Sequence, residues 1–512
     1  MRGTYDRAMP TEAVGRRWTL VAVCVTTFML LLDVTIVIVA LPRIQSSLNA
    51  GLTGLQWVVD AYALALAALI LTAGALSDRY GRRLMFIFGV IVFTGASAVC
   101  GAAWSIAALD IARGVQGIGG AALFATALAL IGHEYRGRDL YGAIAVWGAT
   151  IGAAVASGPL VGGLLTDGLG WRWVFFVNVP VGAFALFVAL RYMAESRDEG
   201  ALRTDVAGFV TLSAALFLIV FGLLRGNSEG WSSALIVSTL AAGVAMLGLF
   251  VLVELRQRRP MLDMSLFRRP AFVGVSLATF AIGAGMFAMF PYLSIYLQDV
   301  LGLSPLGAGL RLLPLTVFVF VVPIATRNIA ERIPAWILAG VGLLLVSGSL
   351  LLMHGVTATS SWTALLAGFI VSGIGIGLAN PTLAASALRV VDPARSGMAS
   401  GFNNACRLGG VAIGVAGLGA VLEHRVGTSL DSSGHGALAQ AVSSSGERVA
   451  HGQPALAHIA GVAYSDGLNA ALLTGCITVF VGAVSAVVLL RVRSAKAPVG
   501  EQAAVSSPGG GA

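Results

Sequence analysis

The sequence predicts an all-α integral membrane protein, a bundle of helices that cross a bilayer, on three observations. Apolar stretches near 20 residues long recur along the chain, the length at which a helix crosses the hydrocarbon core. The turns between them are short and hold most of the arginines. Hydrophobic residues make up 57% of the chain and charged residues only 11%, far from the norms of soluble domains. The net charge of +8 does not point to nucleic acid, because the basic residues gather beside the spans, where orientation requires them. Cys24, Cys100, Cys406 and Cys476 fall singly in four different apolar runs, so there is no disulfide framework or zinc spacing, and each reads as a packing residue.

The first span, 18–41, follows an arginine-bearing start (Arg2, Arg7, Arg16, Arg17) and is itself the insertion signal, with residues 1–17 as a cytoplasmic tail. Five more, 55–76, 84–103, 106–131, 141–165 and 173–193, complete a six-helix half, 18–195. Two additional helices, 206–224 and 233–255, fill the linking segment 196–260, and the turn 256–270 brings five arginines. The last six, 271–297, 306–325, 335–353, 362–388, 398–422 and 468–490, form a second half, 261–493. Fourteen spans place both termini in the cytoplasm, with roughly 24 Arg and Lys in the inner turns and tails against roughly 6 outside. The outer segment 423–467 carries His424, His435, His451 and His458 at irregular spacing and reads as a solvated loop rather than a metal site. The Gly/Ser/Ala/Pro-rich end, 494–512, reads as a disordered cytoplasmic tail. A faint repeat, "GIGGAALFATALALIG" from Gly117 and "GIGIGLANPTLAASAL" from Gly373, matches two halves separated by an extra helix pair, an arrangement in which halves rock about a midplane site.

Between the second and third spans the chain reads "GALSDRYGRR", Gly74 to Arg83. Gly74 and Gly81 permit close backbone approach, Asp78 is able to cap a helix, and Arg79, Arg82 and Arg83 suit lipid phosphates or acidic partners. The ordered pattern resembles the cytoplasmic signature of the major facilitator superfamily. That resemblance implies a conformational latch in which Asp78 approaches residues 396–401. The fourth span begins "LDIARGVQGIGGA", Leu109 to Ala121, similar to the superfamily's membrane-embedded arginine motif. A charge there needs a partner, and helical rise places Arg113 in one layer with Asp33 and Asp60. A local pair with Asp110, three residues earlier, is the competing arrangement.

The fifth span contains G-P-x-x-G-G as Gly158, Pro159, Gly162 and Gly163, small residues that permit helix approach beside a proline that permits a bend. It resembles the antiporter signature of exporters. "LDVTIVIVALP" from Leu32, "WRWVFFVNVPVG" from Trp171, "YLQDVLGLSPLGAGLRLLP" from Tyr296 and "GMASGFNNACRLGGVAIGVA" from Gly397 resemble the fourteen-helix drug:proton antiporters, so the likeness runs from about Leu20 to Leu490. Ile38 stands where that family often has Asn, a polar contact beside Asp33 that this chain lacks.

A carboxylate in an apolar cavity changes protonation with water access and ion pairing, which makes Asp33 the first candidate for proton coupling, Arg113 its counter-charge and Asp60 a second acceptor. Phe28, Met29, Met286, Phe287, Met289, Phe290 and Tyr292 suit adaptable contact with apolar cargo or ordinary helix packing, and Arg407 suits a cavity wall or a carbonyl partner. No G-x-x-x-x-G-K-[ST] occurs, so no nucleotide and no other cofactor is expected. The resemblance implies a proton-coupled exporter of hydrophobic or cationic drugs in a bacterial plasma membrane, in contact with lipids, and no enzyme. A metabolite transporter and a non-transporting sensor are the alternatives, the second disfavoured by buried charge.

Overall fold

The computed structural model describes residues 9–50, 52–196, 205–257, 260, 262–330, 332–392, 395–445 and 454–494. Residues 1–8, most of the expected tail 494–512, and His451 lie outside them.

The chain is helical throughout these residues: α1 (Met9–Leu48), α2 (Leu52–Tyr80), α3 (Arg82–Gly101), α4 (Ile106–Glu134), α5 (Gly137–Gly168), α6 (Trp173–Tyr192), α7 (Val206–Glu229), α8 (Ala234–Arg256), α9 (Pro270–Val300), α10 (Leu313–Ala330), α11 (Ala335–Met353), α12 (Trp362–Val390), α13 (Ser396–Ser432) and α14 (Pro454–Ser494). Among the described residues twelve are long and apolar enough to cross a membrane, and Leu313–Thr326 of α10 is a shorter apolar helix. The other rod, α5, runs 32 residues beside α1. Side-chain oxygens start several helices by accepting orphan amides: Ser105 from Ala108, Asp205 from Gly208 and Ser233 from Ile236. α9 is not continuous, passing through a 3-10 turn at Phe287–Met289 and a π turn at Tyr296–Val300. Pro291 has no N–H to donate back along the helix, which accounts for the break at Phe287.

Three apolar clusters hold the bundle. Two draw nearly all their residues from 22–193, and the third draws nearly all of its from 262–490. Across that division α2 packs on α13 and α5 on α10. α7 and α8 pair with each other, and α7 leans on α2. Polar contacts define one end: Arg16 at the start of α1 meets Asp139 at 3.3 Å, Arg83 reaches the carbonyl of Leu190 at 2.8 Å, and Arg269 reaches that of Val390 at 2.9 Å. The first and last described helices begin and finish there, so this is the termini end.

The expected loop 423–467 is corrected. α13 continues to Ser432 and α14 begins at Pro454, about 15 and 20 Å beyond the expected boundaries. Leu422, Val426 and Leu430 recur every four residues and are buried together with Ala460, Ala463 and Tyr464, while Ala439–Ser445 forms a short helix between the two rods. The apolar stripe, at helical period, is what keeps both helices wound past the membrane boundary. Among the described residues no three His, Cys, Asp or Glu side chains gather as metal ligands.

Candidate functional site

Arg113 lies seven residues into α4, about 10 Å below its start. It is 1% exposed, and Asp33 on α1 is 0%. Its Nη1 donates to Asp33 Oδ2 at 2.5 Å and to Gln116 Oε1 at 2.7 Å, and its Nε donates to the Val58 carbonyl at 2.8 Å. The other carboxylate oxygen of Asp33 accepts from Gln116 Nε2 at 2.9 Å and Asn178 Nδ2 at 3.0 Å. Ser97 Oγ accepts from the same two amides, at 2.7 and 3.0 Å. The ring of Tyr62 lies 4.4 Å from the guanidinium carbon. Five helices, α1, α2, α3, α4 and α6, thus close a buried network in which both charges are paired and both carboxylate oxygens are hydrogen-bonded. Removing one charge from such a pair leaves the other uncompensated, at about 3–5 kcal/mol.

The Asp110 alternative is not adopted, and Asp110 Oδ1 has no hydrogen-bond partner. Gln116, Asn178, Ser97 and Tyr62 were not singled out by the sequence reading. Their signal was polarity inside apolar helices, and Gln116 and Asn178 even stand within quoted motifs. Ile38 is 53% exposed, turned away from the network, so an apolar residue there takes nothing from Asp33. Asp60 does not join the layer either. Its Oδ2 lies 3.8 Å from Nε of Arg225 on α7, which also bonds Gln56 at 3.1 Å. Equal height along the membrane normal placed Asp60 with Asp33, but it projects from a different side of α2.

At the termini end Asp78 joins α2 to the start of α13. Its Oδ1 accepts the Gly397 amide and its Oδ2 that of Met398, both at 2.7 Å, and Arg82 Nη2 holds Oδ1 at 2.9 Å. These are orphan amides of a helix N-terminus, where a carboxylate is favoured by hydrogen bonding and by the helix dipole. Gly74 is needed because a Cβ there would lie 2.5 Å from the Gly397 carbonyl oxygen. Gly81 is needed twice over: its φ is +117°, and a Cβ would strike the Glu195 carboxylate. Glu195, unmarked in the sequence, accepts the Arg83 and Leu84 amides at 3.1 Å each and so caps α3. Arg79 does not join Asp78; its guanidinium lies 5.0 Å from the Tyr80 ring.

On α5, Gly158 and Gly162 face Thr35 and Ile36 of α1, and Gly163 faces open space. Pro159 is helical, and its side chain lies outside the described residues. One part of the cargo expectation is corrected: Met286, Met289 and Tyr292 are buried in the cluster formed by residues 262–490, with Phe287 and Phe290 packed against it. The break at Met286 and Pro291 turns this stretch toward α13 and α14, where Tyr292 Oη donates to the Val415 carbonyl at 2.6 Å. Met29 is likewise core, and Phe28 is partly buried. Arg407 lines a cavity between the halves, about 10 Å³ in volume, with Trp147, Gly148, Thr279, Asn380 and Asn403. That is about the room of one water. A larger hollow, about 590 Å³, lies between α1, α5 and α10, lined by Leu20, Tyr135, Asp139, Val146 and Ile324 among others.

Comparison with known proteins bears on this arrangement. A family model described as Major Facilitator Superfamily matches residues 23–415. The chain is 38% identical over 419 residues to multidrug resistance protein Stp of Mycobacterium tuberculosis, covering 81% of this chain and 77% of that protein. It is 38% identical over 429 residues to the tetracenomycin C resistance and export protein of Streptomyces glaucescens, with 81% and 77% covered. Among solved structures, the human organic anion transporter MFSD10 (TETRAN) has a TM-score of 0.60 over 92% of this chain and 99% of that one, at 15% identity, a likeness of fold.

Proposed function

The chain belongs to the Major Facilitator Superfamily, and we propose that it exports hydrophobic drugs or antibiotics across a bacterial plasma membrane in exchange for protons. It is a multi-pass membrane transporter and not an enzyme. In this reading fourteen spans put both termini in the cytoplasm, residues 18–195 and 261–493 form the rocking halves, and 196–260 link them. The drug cargo follows from relatives described as a multidrug resistance protein and a resistance and export protein.

One observation carries the coupling: the buried pair of Asp33 and Arg113. Protonation of Asp33 cancels the charge that holds Arg113, so the five helices meeting there lose their strongest tie and rearrange. Asp78 and the start of α13 act as the latch that keeps the termini end shut until then. The hollow between α1, α5 and α10 supports entry of lipophilic cargo from the inner leaflet. One proton moving down 100 mV supplies about 2.3 kcal/mol, enough for a gradient of roughly 40-fold in a neutral cargo.

The test uses purified protein in liposomes containing a pH dye, with a panel of lipophilic drugs added to wild type and Asp33→Asn. Proton movement that depends on drug, lost in Asp33→Asn while the protein stays folded and binds drug, is the expected result. Unchanged movement in the variant removes Asp33 from coupling, and no movement with any drug removes the exchange itself.

A further inference from the structure

Among the described residues four arginines are buried, and three are neutralised: Arg82 by Asp78, Arg113 by Asp33 and Arg225 by Asp60. Arg407 is the exception. It is 8% exposed and forms no ion pair among the described residues. Its Nη2 donates to Asn404 Oδ1 at 2.8 Å, and its guanidinium lies 5.0 Å from the Phe124 ring and 5.6 Å from the Trp147 ring. Neutral partners and ring faces stabilise a cation without cancelling its charge. Asn404 Nδ2 in turn donates to the Phe124 carbonyl on α4 at 3.0 Å, which fixes this group against the opposite half.

Position adds to the argument. Arg407 lies eleven residues into α13, about 16 Å from its first residue and hence near the middle of a hydrocarbon core roughly 30 Å thick. It lines the cavity to which both halves contribute, Trp147 and Gly148 from α5, Thr279 from α9, Asn380 from α12 and Asn403 from α13. A permanent positive charge at this depth calls for a counter-charge, and the described residues supply none beside it.

The geometry points to a cargo that brings the missing charge: an aromatic molecule bearing an anionic oxygen, carboxylate, phenolate or sulfonate, whose charged group meets Arg407 while its ring system lies against Trp147 and Phe124. This rests on the exporter reading and narrows its cargo. A cationic head group would be repelled at the same place, against the cationic drugs that the sequence reading admitted. Export of a monoanion against entry of one proton moves two charges with the membrane potential, so the attainable cargo gradient rises from about 40-fold to roughly 2,000-fold per 100 mV.

Fluorescein and tetramethylrhodamine methyl ester share a xanthene ring and differ in charge, and binding of each to the purified full-length protein is read by fluorescence anisotropy. The wild type is expected to bind anionic fluorescein at least about tenfold more tightly than the cationic ester. Arg407→Gln is expected to lose that affinity by tenfold or more, with binding of the ester unchanged or tighter, while Arg407→Lys, which keeps a positive charge, retains part of the preference. Equal or reversed preference in the wild type, or unchanged fluorescein affinity in Arg407→Gln, overturns the proposal. Drug-driven proton movement in wild-type liposomes reads the exporter function separately, so a protein that moves protons with neutral drugs yet shows no preference for fluorescein keeps that function and discards the anionic cargo.

Discussion

Asp78→Asn should open the termini end of the closed protein. Asp78 accepts two amides of α13 at 2.7 Å, one on each oxygen. Hydrogen bonds to a charged group contribute about 1.5–3 kcal/mol each. Asparagine keeps one acceptor oxygen but turns an NH₂ toward the second amide, so one of the two bonds is lost. The negative charge at the helix N-terminus goes too, which costs about 0.3–1 kcal/mol. The sum is about 3 kcal/mol, a shift of roughly 150-fold in the ratio of closed to open molecules.

Ser400 reports on this gap, being fully buried one turn into α13 with no partner for its hydroxyl. A cysteine placed there, in a chain with Cys24, Cys100, Cys406 and Cys476 replaced, should react with a membrane-impermeant maleimide in inverted vesicles at a rate set by opening. In the Asp78→Asn background the rate should rise by about two orders of magnitude. A rate within twofold of the parent, in a variant with an unchanged melting profile in detergent, would refute the latch.

Three further outcomes follow from particular contacts. Gly74→Val places a Cβ 2.5 Å from the backbone oxygen of Gly397, an atom that cannot rotate away, so dye efflux should fall at least about tenfold with normal membrane insertion on an immunoblot. Asp60→Asn weakens the tie to Arg225, 3.8 Å away, and should lower the midpoint of unfolding in a detergent titration by the equivalent of about 1–3 kcal/mol while drug-driven proton movement in liposomes persists. Glu195→Ala removes both caps from the start of α3 and should cost about 0.5–2 kcal/mol in the same titration.

The helical membrane fold was legible because a backbone in lipid must satisfy its own hydrogen bonds, which leaves 20-residue apolar helices as the pattern to find. A counter-charge for Arg113 was legible for a similar reason, since the chain offers few acids at its depth. Depth alone could not say that Asp60 turns toward Arg225, because helical rise gives height and not the direction a side chain faces. The Met286 to Tyr292 stripe was ambiguous in kind: the same soft, bulky residues serve a cavity wall and a packed interior, and only the break in α9 decides between them. Glu195 was invisible because its role depends on the close approach of α6 to a glycine remote in sequence.

The two charged centres share a rod, and this bears on the proposed exchange of proton and cargo. Arg113 and Phe124 are eleven residues apart on α4, about 16 Å, and Phe124 touches the Arg407 group through its ring and its carbonyl. A proton on Asp33 and a cargo beside Arg407 therefore cannot compete for one residue, and any coupling between them is a linkage carried by α4 and the helices on it. A sulfonated aromatic dye, whose own charge is constant with pH, separates the two cases by its Kd at mildly acidic and mildly alkaline pH. Arg407→Gln should weaken binding at both values and leave their ratio intact. Asp33→Asn should leave binding in place and collapse the ratio toward one. A ratio that survives in Asp33→Asn and disappears in Arg407→Gln would mean that proton and cargo meet at the same group, and the separation along α4 would have no part in exchange.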